Sequence, residues 1–200
     1  MDRSPNEIIQ ADALAREGEQ VLADLQLTTI LATWGTPHLI GSMAMGLMVA
    51  RDIDFNVVVD SVDATTLATV GMQLLPILTH PRVFRLRYAS QLGSFNPDGT
   101  AMEEGFYSGI HYRTAAGDDW KIDVWTVQPP RPEIALRDRV RAEFTCEARL
   151  AALRIKRRLR TEVSDVVRGV HSRHVYAAVL GGVREWKQFE RWLEMNDPDC

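Results

Sequence analysis

The stretch LIGSMAMGLMVARDIDFNVVVD (Leu39–Asp60) decides how this 200-residue chain folds. An apolar segment runs into Arg51-Asp52-Ile53-Asp54 and returns at once to Phe55, Val57, Val58 and Val59. The run after the acids is β-branched and too short for a helix, so Ile53 to Val59 reads as a buried strand. Alternation along it puts Asp52, Asp54 and Asn56 on one face and Ile53, Phe55 and Val57 on the other. Two carboxylates at the head of a buried strand are costly unless water, an arginine or a metal neutralises them.

Outward from this strand, residues 5–26 read as a helix capped by Ser4 or Asn6, with apolar residues at roughly helical spacing. Residues 37–41 read as a short strand ending at Gly41, and Ser42 to Leu47 as a turn entering a first helical turn. Ala64 to Leu78 reads as a helix stopped by His80-Pro81. Val83 to Tyr88, Gly105 to Arg113 and Trp120 to Val127 read as strands, the last two joined by the hairpin signal TAAGDD. QPPRP (Gln128–Pro132) is the clearest break in the chain. Beyond it the pattern predicts helices over Pro132–Arg160, Ser172–Leu180 and Val183–Met195, with Asn196-Asp197-Pro198 ending the last. Val183, Trp186, Phe189 and Leu193 form a core stripe within it. The fold class is therefore α+β: a mixed β-sheet core with flanking helices over residues 1–130 and a helical C-terminal part over residues 131–200.

Composition sets limits. The apolar fraction of 46% and charged fraction of 25% are those of an ordinary water-soluble domain. No run is long and apolar enough to span a bilayer, and the acidic N-terminus lacks a signal-peptide core. Cys146 and Cys200 do not form a disulfide framework, so a reduced, cytoplasmic protein is expected. The net charge of -4 hides an asymmetry: residues 1–130 hold 8 basic and 16 acidic residues, residues 131–200 hold 15 and 11. This argues against general binding to a nucleic-acid backbone. It suits an acidic half that holds cations and a basic half that holds a polyphosphate.

A third carboxylate enters on DWKIDVWTV (Asp119–Val127). Lys121, Asp123 and Trp125 share one face of that strand. If it lies beside the first, Asp123 joins Asp52 and Asp54, and a hard divalent cation, Mg²⁺ or Mn²⁺, resolves the repulsion. Gly41-Ser42, at a strand end before a helical turn, offers free N–H groups and a hydroxyl to a phosphate. A phosphate cradle, a carboxylate pair nine residues on and a later third acid meet the needs of phosphoryl or nucleotidyl transfer.

Leu39-Ile40-Gly41-Ser42, Asp52-Ile53-Asp54 and Ile122-Asp123-Val124 together resemble the DNA polymerase-beta-type nucleotidyltransferase superfamily, and most of all its small stand-alone members such as antibiotic nucleotidyltransferases. The resemblance implies transfer of a nucleoside monophosphate from a nucleoside triphosphate to a hydroxyl, with release of pyrophosphate. Asp52, Asp54 and Asp123 would hold the metals, and Asp123 would act as base, ligand or both. Gly41 and Ser42 would hold the phosphates. A lysine on the helix after the third acid often lies near the triphosphate in such relatives, which points to Lys156. Gly46 is either the family's second small residue or a plain turn glycine.

The acceptor expected from sequence is a small molecule. Asp98, Glu103, Glu104, Asp118 and Asp119 would attract a cationic one such as an aminosugar. A regulatory module of the minimal-nucleotidyltransferase antitoxin type and a tRNA-end or RNA-modifying enzyme are the alternatives. The additional 70 residues of the helical C-terminal part disfavour the first, and the acidic first half and the absence of a basic, aromatic-rich tail disfavour the second. Arg51 would pair with Asp52, meet a phosphate or stay solvated. Trp125 would stack on a base or lie in the core, and His111 would face the site if the hairpin register allows. The family reading requires Asp123 and Asp52 to share a sheet face.

Overall fold

The computed structural model describes residues 6–93, 104–162 and 169–196. Ser4, Asp98, Glu103, Asp197, Pro198 and Cys200 lie outside them. The described chain folds as an α+β unit around a five-stranded mixed sheet. The strands are β1 (Thr36–Ile40), β2 (Asp52–Val58), β3 (Val83–Ser90), β4 (Phe106–Arg113) and β5 (Asp119–Val127), in the order β1-β2-β5-β4-β3. β2 and β5 are parallel and every other pair is antiparallel. The chain must therefore leave β2, cross through two helices and the β3–β4 hairpin, and return in β5 alongside it.

The helices are α1 (Asn6–Asp24), α2 (Leu27–Leu31), α3 (Gly41–Ala44), α4 (Ala64–Gln73), α5 (Leu75–Leu78), α6 (Pro132–Glu143), α7 (Cys146–Thr161), α8 (Ser172–Leu180) and α9 (Trp186–Met195). Three differ from the expectations above. The helix expected over Ala64–Leu78 is two, meeting at Leu74, because Pro76 has no N–H to continue the first. The helix expected over Pro132–Arg160 is also two. Phe144 is extended, and the Thr145 hydroxyl accepts from the Ala148 N–H at 3.2 Å to cap a new start. The short α2 follows Gln26, whose left-handed backbone (φ 49°) breaks it from α1.

Two apolar cores hold these elements. Ile53, Phe55, Val57, Ile110, Trp120, Ile122 and Val124 from the inner sheet face pack with Val21, Leu25, Leu27 and Leu31 and with Val70, Leu74 and Ile77. The second core joins Val140, Leu153, Ile155, Val175, Val179, Trp186, Phe189 and Leu193 to Ile8, Ala11 and Leu47. The stripe of α9 is buried as expected.

A polar tie spans the first core. Trp120 is buried, and its Nε1 donates to Glu17 Oε1 on α1 at 2.8 Å. The same carboxylate receives Arg51 Nε at 2.9 Å, and Arg51 also pairs with Asp118 at 3.2 Å. The expected alternatives for Arg51 (Asp52, a phosphate or water) give way to this pairing, which fixes the lead-in to β2 against α1. Glu17→Ala leaves the indole N–H without its acceptor and the guanidinium with Asp118 alone, and should lower stability by about 1–3 kcal/mol, read from the urea midpoint at unchanged m. A change below about 0.5 kcal/mol would show that water replaces the carboxylate freely.

Candidate active site

The parallel pairing of β2 with β5 sets Asp54 directly across from Asp123, and Asp52 across from Lys121. Residues paired across strands project to the same face, so Asp52, Asp54 and Asp123 converge. One oxygen from each lies within 4.8 Å of the others. Asp52 and Asp123 share the sheet face that the family reading required.

Gly41, the residue after β1 and the first of α3, closes the site from the other side. Its φ is +64°, and a Cβ there would run into the carboxylate of Asp54. Only glycine lets the backbone approach the acid this closely. Burial, followed by the nearby charges of Asp52 and Asp123, pushes the Asp54 carboxyl up to about 7. Burial also raises Asp52, and the Lys121 ammonium opposes the rise. Lys121 Nζ lies 2.5 Å from Asp123 Oδ2 and 3.9 Å from Asp52 Oδ1. Asp52 Oδ1 is buried and accepts no hydrogen bond. Three hard oxygen donors, one of them buried and unsatisfied, fit a divalent cation of the Mg²⁺ or Mn²⁺ kind.

Asp123 has a second support that the sequence reading missed. Tyr107 on β4 donates its hydroxyl to Asp123 Oδ1 at 2.8 Å. Its phenol reaches across Gly109, the residue paired with Asp123, where a Cβ would meet the Tyr107 oxygen at 2.6 Å. Burial and this hydrogen bond raise the phenol to about 12, so it stays a donor.

A cavity of about 310 Å³ opens in front of Gly41, Ser42, Asp52 and Asp54. Its other wall is Glu133 and Leu136 of α6 and His171, Ser172, Arg173 and Tyr176 around the start of α8. Beside it, Ser42, Asp52 and Ser172 also line a smaller recess of about 100 Å³ with Lys156 and Arg160. Lys156 is buried, and its ammonium donates to Leu47 O at 2.8 Å and to Tyr176 Oη at 2.9 Å. Burial pulls the amine down to about 7 against the pull of Asp54 and Asp52. Gly41, Ser42 and Lys156 are thus brought to the same region as the acids.

The helices after the break hold the loop that follows Gly41. Arg149 Nε donates to Gly46 O at 3.0 Å, and Gly46 takes a positive φ there. Arg137 donates to Leu39 O at 2.9 Å. Trp125 is half-buried on the site face, its ring 5.2 Å from that of Tyr107. His111 pairs with Lys121 across the strands and so shares that face. Among the acids expected to draw a cationic acceptor, Asp118 is paired with Arg51 and Asp119 with Arg113.

The titrations give a signed prediction. An aspartate that titrates near 3.8 when unfolded and about 7 when folded keeps its proton longer in the folded state. Between those values the folded protein binds more protons than the unfolded, so metal-free stability falls as pH rises through the window. Lys156, at about 7 folded and 10.5 unfolded, acts in the opposite sense and only above about pH 7. The melting temperature of the metal-free protein should therefore fall from about pH 5 to about pH 7, and Asp54→Asn should flatten most of that slope. A mutant slope equal to wild type would mean that Asp54 is not the strained acid.

No family model and no curated protein matches the sequence. Solved structures do match the fold. A cytoplasmic RNA terminal U-transferase aligns with a TM-score of 0.54 at 14% identity, over 83% of this chain and 45% of its own. Cid1, described by its RNA terminal uridylyl transferase activity, aligns at 0.51 and 13% identity over 78% of this chain and 45% of its own. A mutant of the Cid1 poly(U) polymerase bound to MgATP aligns at 0.50 and 14% identity, over 76% and 45%. The chain thus spans a little under half the length of these proteins, and the portion it spans has the nucleotidyltransferase core fold.

Proposed function

We propose that this chain transfers a nucleoside monophosphate from a nucleoside triphosphate to an acceptor hydroxyl. The observation that carries this reading is the convergence of Asp52, Asp54 and Asp123 against the side-chain-free backbone of Gly41, at the mouth of a cavity. Gly41 and Ser42 take the phosphates, with Lys156 contributing positive charge from behind the loop. Residues 1–130 supply the acids and the phosphate turn, and residues 131–200 supply the opposite wall. The acceptor oxygen attacks the α-phosphorus, the bond to the β-phosphate oxygen breaks, and pyrophosphate leaves. The proton of the acceptor hydroxyl passes to Asp123, the carboxylate of the three that stands outside the cavity wall. Asp52, Asp54 and Asp123 would hold a divalent cation, which would supply neutralisation of the phosphate charge. The chemistry suits a cytoplasmic setting. A cationic small-molecule acceptor loses part of its support, since Asp118 and Asp119 are already paired.

The test uses each of the four α-labelled nucleoside triphosphates with Mg²⁺ or Mn²⁺, a small-molecule extract and an oligonucleotide as acceptors. Label should move to one acceptor, and Asp54→Asn should reduce transfer to background while its melting temperature holds. Mg²⁺ with the preferred triphosphate should stabilise the fold more than either alone, by about 2.7 kcal/mol at a hundred times the dissociation constant. No transfer and no shift with any triphosphate would favour the non-catalytic regulatory module. Transfer by Asp54→Asn at the wild-type rate would sink the mechanism.

A further inference from the structure

The cavity accounts for one side of the acid cluster only. Asp52 and Asp54 line it, and Asp123 does not. On the far side of Asp123 the sheet continues through β4 to the edge strand β3 with the same face outward. Over Gly109, paired with Asp123, the face is covered by the Tyr107 phenol, which donates to Asp123. Next across is Arg87, paired with Gly109, and beside it is Arg85, paired with His111. Both arginines are exposed, and neither forms an ion pair or side-chain hydrogen bond among the described residues. Two rings flank Gly109 along β4, Tyr107 and His111, and Trp125 stands two residues from Asp123 on β5. All three rings are partly exposed on this face.

Unpaired cations at one edge, partly exposed rings in the middle and the proposed proton acceptor at the other side form a directional surface. Rings in this arrangement accept bases through their faces, which only unpaired nucleotides offer, and free arginines accept backbone phosphates. We infer that the face running from Asp123 over Gly109 to Arg87 and Arg85 seats the end of a single-stranded polynucleotide, whose terminal hydroxyl is the acceptor. The proposal rests on the nucleotidyl-transfer reading above. It replaces the small molecule expected from sequence. The acidic total of residues 1–130 concealed this surface, because Arg85 and Arg87 are two of only eight basic residues there and alternation places them side by side.

The test is binding without chemistry. Fluorescein-labelled single-stranded 12-mers of RNA and of DNA, and a duplex of the same length, are titrated with the protein and Mg²⁺ in the absence of triphosphate, with anisotropy as the readout. The single strand of at least one sugar type should bind, and the duplex should bind more weakly. Arg85→Glu with Arg87→Glu should weaken binding at least tenfold. The paired neutral variant, Arg85→Gln with Arg87→Gln, should lower the log–log salt slope by about 1.4, at about 0.7 for each phosphate no longer neutralised. Trp125→Ala should weaken binding roughly tenfold, because a base would no longer have the indole to stack on. Each variant's melting curve in Mg²⁺ and triphosphate reports whether it folds and still holds the nucleotide. Absence of single-strand binding, equal binding of duplex, or insensitivity to the paired arginine changes would overturn the proposal. If the triphosphate shift is present in that case, transfer to a small acceptor stands. If the triphosphate shift is absent and no labelled nucleotide is transferred, the functional reading itself fails.

Discussion

The parallel pairing of β2 with β5 is the constraint from which the rest follows. Among the described residues it is the one parallel pairing in the sheet, and it joins strands separated by two helices and a hairpin. It puts Asp54 opposite Asp123 with no freedom of register, because a slip of one residue would turn Ile53, Phe55 and Val57 out of the core. Apolar burial on one face thus enforces carboxylate repulsion on the other. The fold answers with Lys121 against Asp123 and Asp52, and with Tyr107 donating to Asp123. Burial and the charges of Asp52 and Asp123 still raise Asp54 against the opposing charges of Lys121 and Lys156, and a bound cation would relieve it further.

Much of this was legible in the sequence because it depends on local alternation. The two-residue spacing of Asp52 and Asp54, the apolar residues between them and the matching pattern around Asp123 carry their own geometry. The Gly41-Ser42 turn and the α9 stripe are similarly local. The features that stayed hidden are those set by distant partners. Trp120 has its acceptor on α1, more than a hundred residues away, and Arg51 shares that acceptor. Tyr107 reaches Asp123 only because Gly109 leaves room, a fact of hairpin register rather than of composition. The break at Phe144-Thr145 had a signal, a threonine placed to cap, but an amphipathic pattern on both sides concealed it.

The C-terminal helices do more than form a wall. Arg137, Arg149 and Lys156 each donate to a main-chain carbonyl, of Leu39, Gly46 and Leu47. These carbonyls bracket the turn proposed to take the phosphates. A buried lysine is expensive, and this one sits where its charge also faces Asp52 and Asp54. Loop geometry and site electrostatics are therefore fixed by the same side chain.

These interactions bear on what counts as a minimal unit of this fold. A protein ending at the close of β5 would keep every strand and all three acids. It would also bare Ile8, Ala11 and Leu47, which share a core with residues of α7, α8 and α9, and it would leave the carbonyls of Gly46 and Leu47 without their donors. Such a truncated chain would carry the acids on a sheet whose phosphate turn had no supports and whose first helix had an uncovered apolar stripe. The helices after QPPRP are thus a structural dependency of the sheet domain rather than an accessory to it, and shorter proteins built on the same sheet must cover that surface by other means, with a partner or with a second copy of themselves.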